Sequence, residues 1–204
     1  MKAWVVGCCC WVVLGVPSVG LASASGTVQH VVQWILSTGD HQDLPFVVVD
    51  KTQAQVFVFN PGGLLLGSAP ALLGLAWGDD SPPGLGERAL ADIAPHERIT
   101  PSGRFVAELD RNAAGQELLW VDYEQAISLH PVRSTKPSER RLERLASATA
   151  RDNRISYGCI NVPTAFWRDV VRPTFKGTSG VVYVLPDTLS LGLVFAMDSR
   201  RAGD

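Results

Sequence analysis

Two short runs near the start of the chain constrain its fold more than any other feature. Leu44-Pro45-Phe46-Val47-Val48-Val49-Asp50 and Gln55-Val56-Phe57-Val58-Phe59-Asn60 are dense in β-branched and aromatic residues, and only Lys51-Thr52-Gln53-Ala54 separates them. Side chains of this kind pack well on a pleated surface, so the pair predicts two strands joined as a hairpin. Pro61-Gly62-Gly63 then turns the chain into Leu64–Pro70 and Ala71–Trp77, further strand material, and Gly180–Pro186 reads as a closing buried strand. Helical patterns are few. They comprise a lead-in over Ser25–Asp43, a start at Ser138 and the segment Thr164–Val171. The expected fold class is therefore mainly β with a few short helices.

The first residues have a different character. Met1-Lys2 gives a positive start, Ala3–Gly20 is a nearly uncharged apolar run, and Ala22-Ser23-Ala24 has the small-residue pattern of a signal-peptidase site. Cleavage is expected after Ala24, with an uncleaved membrane anchor as the alternative. Pro17, Ser18 and Gly20 interrupt the run before a comfortable span of about 20 residues, which favours the leader. The expected organisation is thus a signal peptide at 1–24, a lead-in at 25–43, one main domain at 44–187 and a tail at 188–204. Such a chain is exported.

The net charge is −2, or −3 once Lys2 leaves with the leader, so the chain carries no basic field for nucleic acid. One cysteine beyond the leader and four scattered histidines offer no zinc-ligand spacing. The loop Gly78–Arg88 is rich in Gly, Pro and Asp but has neither a phosphate-loop lysine nor a helix pattern behind it, and reads as a cleft-lining loop. Neither a metal nor a cofactor is expected.

Of the four cysteines, Cys8, Cys9 and Cys10 lie in the leader and only Cys159 lies beyond it. A single unpaired cysteine in an oxidising compartment is a candidate reactive group, although a buried thiol also serves as an inert small hydrophobe. Ser156, Gly158 and Asn161 are turn and cap formers, and Asn161-Val162-Pro163 followed by Thr164–Val171 carries helix-start signals. That pattern puts the thiol at or just before a helix N-terminus, where the dipole favours thiolate. A nucleophilic thiol also wants a base. His30, His41 and His96 fall in a helical or loop context and read as solvated. His130 ends an apolar run aimed at the core, and from spacing alone it is either a core histidine or the base.

Thr100-Pro101-Ser102-Gly103-Arg104-Phe105, then His130, then Ser156-Tyr157-Gly158-Cys159-Ile160-Asn161 occur in one order along the chain. Together they resemble the catalytic domain of the L,D-transpeptidases, the YkuD-type enzymes of bacterial cell walls, from about Phe46 to Pro186. The resemblance implies a β-sandwich or barrel with Cys159 as acyl-accepting nucleophile, His130 as base, and Ser156 and Gly158 shaping the turn. The backbone N–H groups of Gly158 and Cys159 would then serve the oxyanion. Tyr157 stands where the family pattern has histidine, as a wall of the site, and Pro131 where it has glycine. The interval from His130 to Cys159 is longer than the family habit, and its filling reads as a lid or crossover helix.

The substrates implied are peptidoglycan stem peptides, with a neighbouring stem or a cell-wall-linked lipoprotein as acyl acceptor and carbapenem β-lactams as covalent inhibitors. Arg154 and Asn161 flank the nucleophile as candidate contacts for substrate, with bracing of the loop as the alternative for Arg154 and a local cap as the first reading of Asn161. Water as acceptor would make the same residues an L,D-carboxypeptidase, and a non-catalytic cell-wall-binding module is the alternative of another class.

Overall fold

The computed structural model describes residues 24–197. The expected leader, its cleavage site and Cys8–Cys10 fall outside or at the edge of this range. The hairpin forms as β1 (Phe46–Asp50) and β2 (Gln55–Phe59), paired antiparallel from Phe46↔Phe59 to Asp50↔Gln55. The chain continues through β3 (Leu65–Pro70), β4 (Leu73–Gly74), β5 (Gly103–Arg111), β6 (Glu117–Asp122), β7 (Ile127–Pro131), β8 (Arg154–Ser156), β9 (Ile160–Val162) and β10 (Gly180–Val184). Eight of these strands make one sheet in the order β3-β2-β1-β10-β5-β6-β7-β9, and β4 pairs with β8 in a small second sheet.

Just past β3, Leu72 exchanges backbone hydrogen bonds with Asn161 of β9, at 2.8 and 2.9 Å. The two ends of the eight-strand order therefore meet, and the sheet is almost closed. Closure leaves few unpaired edge groups and encloses an interior. The fold is mainly β with a few short helices, as the strand-rich sequence leads one to expect.

Alternation along the strands sorts side chains to two cores. Val47 and Val49 of β1, Val56 and Val58 of β2, and Val182 and Val184 of β10 face the interior with Leu119, Leu129, Ile160 and Val162. Phe46, Val48, Phe57, Phe59, Val181 and Tyr183 face outward and are covered by Val28, Val31, Val32 and Ile35 of helix α1 (Gly26–Thr38). Ser25 caps that helix by accepting from Val28 N–H and donates to Asp50, while Gly39 ends it in a left-handed conformation.

Helix α2 (Arg141–Ala146) lies in the long interval between β7 and β8, after a short 3-10 turn at Pro137–Glu139. Helices α3 (Thr164–Phe166) and α4 (Arg172–Phe175) form one helical run through a wider π-type turn at Trp167–Val171. That turn precedes Pro173, whose missing N–H cannot join a regular ladder. The run sends Phe166, Trp167, Val171 and Phe175 into the interior. Helix α5 (Leu191–Phe195) follows the last strand, and Phe195 joins the outer core beside Trp34 and Tyr183.

Three local expectations differ from what forms. The apolar run that ends at His130, Leu118–Leu129, makes two strands instead of the one strand that leads to the histidine, a hairpin turned at Tyr123–Ala126 where Ala126 takes φ +53°. Of the apolar stretch Ala71–Trp77, only Leu73–Gly74 forms strand. His41, expected in a solvated loop, is buried, with Nε2 2.9 Å from the Pro61 carbonyl and its ring edge-on to Phe46.

Candidate functional site

Strands β7 and β9 run parallel in the register Leu129↔Ile160, His130↔Asn161 and Pro131↔Val162. Ile127, Leu129, Ile160 and Val162 point into the interior core. By the same alternation, Ser128, His130, Cys159 and Asn161 share the opposite face, with contacts to match. Ser128 Oγ lies 3.6 Å from Cys159 Sγ, and Asn161 Nδ2 lies 3.3 Å from His130 Nε2. The thiol is partly exposed. Ser128 carried no motif signal, and only the strand register reveals it.

The turn before the thiol is built around a glycine. Gly158 has φ +130°, and a Cβ there would fall 2.6 Å from Ile127 Cδ1 and 2.7 Å from the Ile99 carbonyl oxygen. Only glycine fits. Ser156, itself buried, donates to the Cys159 carbonyl at 2.7 Å and accepts from Gly158 N–H at 3.1 Å, closing the turn on itself. Thr100, fully buried, donates to the Gly158 carbonyl at 2.7 Å and accepts from Gly74 N–H at 2.9 Å. The Thr100–Phe105 segment thus reaches the cysteine turn through one hydroxyl. Tyr157 stacks under the guanidinium of Arg98, whose Cζ is 4.0 Å from the ring centre.

Two expectations about the thiol are corrected by this geometry. Cys159 leads into strand β9, and helix α3 begins only at Thr164, so no helix dipole acts on the sulfur. The residues Asn161-Val162-Pro163 read as a helix start because Pro163 does precede one. Gly158 N–H is bound to Ser156 Oγ and unavailable to an oxyanion, whereas Cys159 N–H is uncommitted within the turn.

His130 is half-buried, with Nδ1 2.9 Å from the Pro131 carbonyl and Nε2 facing the Asn161 amide. Burial pushes its pKa down to about 4, the Pro131 hydrogen bond opposes this, and the nearby charges of Arg133 and Arg141 add to it. The imidazole is neutral at pH 7. The hydrogen-bond partners of the thiol are Ser128 Oγ and the Ala126 carbonyl at 3.5 Å, so the ring and the sulfur share a face without a bond between them. Asn161 is almost wholly buried. Its amide nitrogen also donates to the Cys159 carbonyl, and its oxygen accepts from Arg141 Nη1 at 2.6 Å.

Arg154 lies elsewhere. It is buried, paired through both terminal nitrogens with Asp187 at 2.7 and 3.2 Å, and stacked on Trp77 with Cζ 4.1 Å from the ring centre. Its guanidinium braces the loop that leads to the cysteine. Beside it, fully buried Lys51 contacts Asp79 Oδ1 at 2.9 Å, Asp187 Oδ2 at 3.5 Å and the Thr100 carbonyl at 2.9 Å. Burial alone would raise the Asp79 carboxyl. Hydrogen bonds from Thr188, Asp187 N–H, Lys51 and Leu189 N–H outweigh it and hold the group well below the usual carboxylate range. Two cations and two anions thus form a compact neutral cluster under the loops around the site. Nearer the surface, Arg88 bridges to Glu97 at 2.8 Å.

No family model matches the chain, and none of the curated proteins does. Among solved structures, the chain is similar to the catalytic domain of the L,D-transpeptidase from E. faecium, at 15% identity and a TM-score of 0.41, over 70% of this chain and 98% of that one. It is also similar to the LD transpeptidase LdtMt1, solved in complex with imipenem, at 16% identity and a TM-score of 0.41, over 70% of this chain and 59% of that one.

Proposed function

We propose that the protein is a cysteine acyltransferase of the cell wall, an L,D-transpeptidase acting on peptidoglycan stem peptides in the periplasm or cell envelope. The observation that carries the reading is the common face of β7 and β9, where a partly exposed thiol follows a glycine-only turn beside a neutral imidazole. The ordered segments Thr100–Phe105, His130 and Ser156–Asn161 add the resemblance to the family.

In this reading the Cys159 sulfur attacks the third residue's carbonyl, in the L,D peptide bond that follows that residue of a stem peptide, and the thiol proton passes to His130. The C–N bond breaks, the terminal D-residue leaves as its amine, and His130 returns the proton to that nitrogen. Cys159 N–H is the turn's available donor to the tetrahedral oxygen, a contact worth roughly 3 kcal/mol in the transition state. An amine of a second stem or of a lipoprotein side chain then takes the acyl group from sulfur. Water in its place gives L,D-carboxypeptidase activity with the same residues.

For the proton to move, the ring must turn its Nε2 lone pair from Asn161 toward the sulfur. That requirement favours one other reading, a wall-binding module whose thiol and imidazole no longer cooperate. A carbapenem separates the two, since the family reading implies acylation. Intact-mass measurement should show one added drug mass on the 25–204 protein and none on Cys159→Ala. A folded protein that takes up no drug would support the binding module.

A further inference from the structure

The candidate base is held by a chain of side chains that starts in the inserted helix. Glu139 Oε2 accepts from Arg141 Nε at 2.5 Å, Arg141 Nη1 donates to Asn161 Oδ1 at 2.6 Å, and Asn161 Nδ2 lies 3.3 Å from His130 Nε2. The far side of the ring closes the series, with Nδ1 2.9 Å from the Pro131 carbonyl. Arg141 side-chain exposure is 13%, and Asn161 is 1% exposed, so these contacts are largely removed from water.

The direction of every bond in this series follows from its two ends. A guanidinium has donors and no acceptor, so the Asn161 atom facing Arg141 must be the carbonyl oxygen. The amide nitrogen then faces the imidazole, and because it only donates, Nε2 must be the bare, accepting nitrogen. The proton of the neutral ring is left to Nδ1. A carbonyl can only accept, and the Pro131 carbonyl is placed to receive it. Both ends demand the same tautomer. Neither Glu139 nor Arg141 touches the thiol, and both come from the interval that lengthens the path between β7 and the cysteine.

We propose that Arg141 is a positioning residue, which together with the Cys159 carbonyl fixes the orientation of the Asn161 amide and through it the Nδ1–H tautomer of His130, so that Nε2 keeps its basic lone pair until the ring turns toward Cys159. The inference rests on His130 as the base of the proposed reaction for its functional meaning, while the tautomer itself needs no reaction to be observed. An arginine acting through an amide in this way links the inserted helix to the chemistry. Loss of the link leaves only the 3.3 Å bond from Nδ2 to the Cys159 carbonyl to hold the amide, which can then turn over and offer its oxygen to Nε2, which takes the proton.

Nitrogen-15 spectroscopy of histidine rings in the intact 25–204 protein at pH 7 tests this without substrate, with His130→Gln assigning the signal. The wild type should show a protonated Nδ1 and a bare Nε2. Arg141→Met should move a substantial share of the proton to Nε2, and Arg141→Lys, which keeps a donor, should restore most of the wild-type pattern. Asn161→Asp, which presents only acceptors to the ring, should protonate Nε2. Backbone spectra report whether each variant is folded, and Arg141, at the first position of the short helix α2 and less buried than Asn161, makes Arg141→Met the more secure of the two. An unchanged Nδ1–H tautomer in folded Arg141→Met would overturn the proposal, as would a wild-type ring protonated on Nε2. Failure of turnover alone, with the tautomer as stated, would count against the proposed reaction and leave the positioning role supported.

Discussion

Ser128 Oγ stands 3.6 Å from Cys159 Sγ, at the point where two parallel strands bring a hydroxyl and a thiol side by side. A hydroxyl so placed can donate to the sulfur as it becomes thiolate, and a hydrogen bond of this kind contributes about 0.5–1.5 kcal/mol. Ser128→Ala should therefore slow alkylation of Cys159 by iodoacetamide at pH 7 by about two- to tenfold. The rate is followed by intact mass against the wild type.

Gly158 is the least replaceable residue of the turn. A side chain at φ +130° must displace the Ile99 backbone, so Gly158→Ala should destabilise the protein by about 2–4 kcal/mol. Urea titration checks the value. The same substitution should change thiol alkylation more than Tyr157→Phe, which keeps the ring under Arg98.

How much of this was legible in the sequence depends on how local each cause is. The β1–β2 hairpin, α1 and β10 follow from composition within a few residues, since burial on both faces selects runs such as Phe46–Val49 and Val181–Val184. The turn at Ser156–Cys159 is also local. Strand β9 is not, because Ile160–Val162 becomes strand only by pairing with β7 and meeting Leu72, partners far along the chain. Lys51 and Asp79 look like turn residues, and their burial depends on one another and on Asp187. Arg154 reads as a residue near the nucleophile and turns inward to that same carboxylate.

The buried charges carry a second prediction for stability. Lys51→Met leaves Asp79 and Asp187 facing a single cation, and breaking a buried pair typically costs about 3–5 kcal/mol. The backbone donors that remain on Asp79 place the expectation at the lower end, about 3 kcal/mol by urea titration. Lys51→Met with Asp79→Asn should lose less than the two single losses added, because the two side chains are in contact.

The depressed pKa of His130 sets a pH dependence. Below about 6.5 the unfolded chain binds a proton at this ring that the folded protein refuses until about pH 4. The contribution is therefore complete above pH 6.5 and is lost as pH falls to 4, by up to about 3 kcal/mol. His130→Gln should remove this part of the slope. Urea midpoints of both proteins at a series of pH values, read as a difference, isolate it from the carboxylates.

In the proposed reaction one sulfur, that of Cys159, carries the acyl group. The direct measurement is intact-mass spectrometry of the 25–204 protein quenched during reaction with a stem tetrapeptide, alongside Cys159→Ala and His130→Gln. A transient adduct with the mass of the tripeptidyl acyl group is expected on the wild type, none on Cys159→Ala, and slower accumulation on His130→Gln. Consumption of the tetrapeptide by folded Cys159→Ala at the wild-type rate, or a folded wild type that neither forms the adduct nor consumes the peptide, would contradict it.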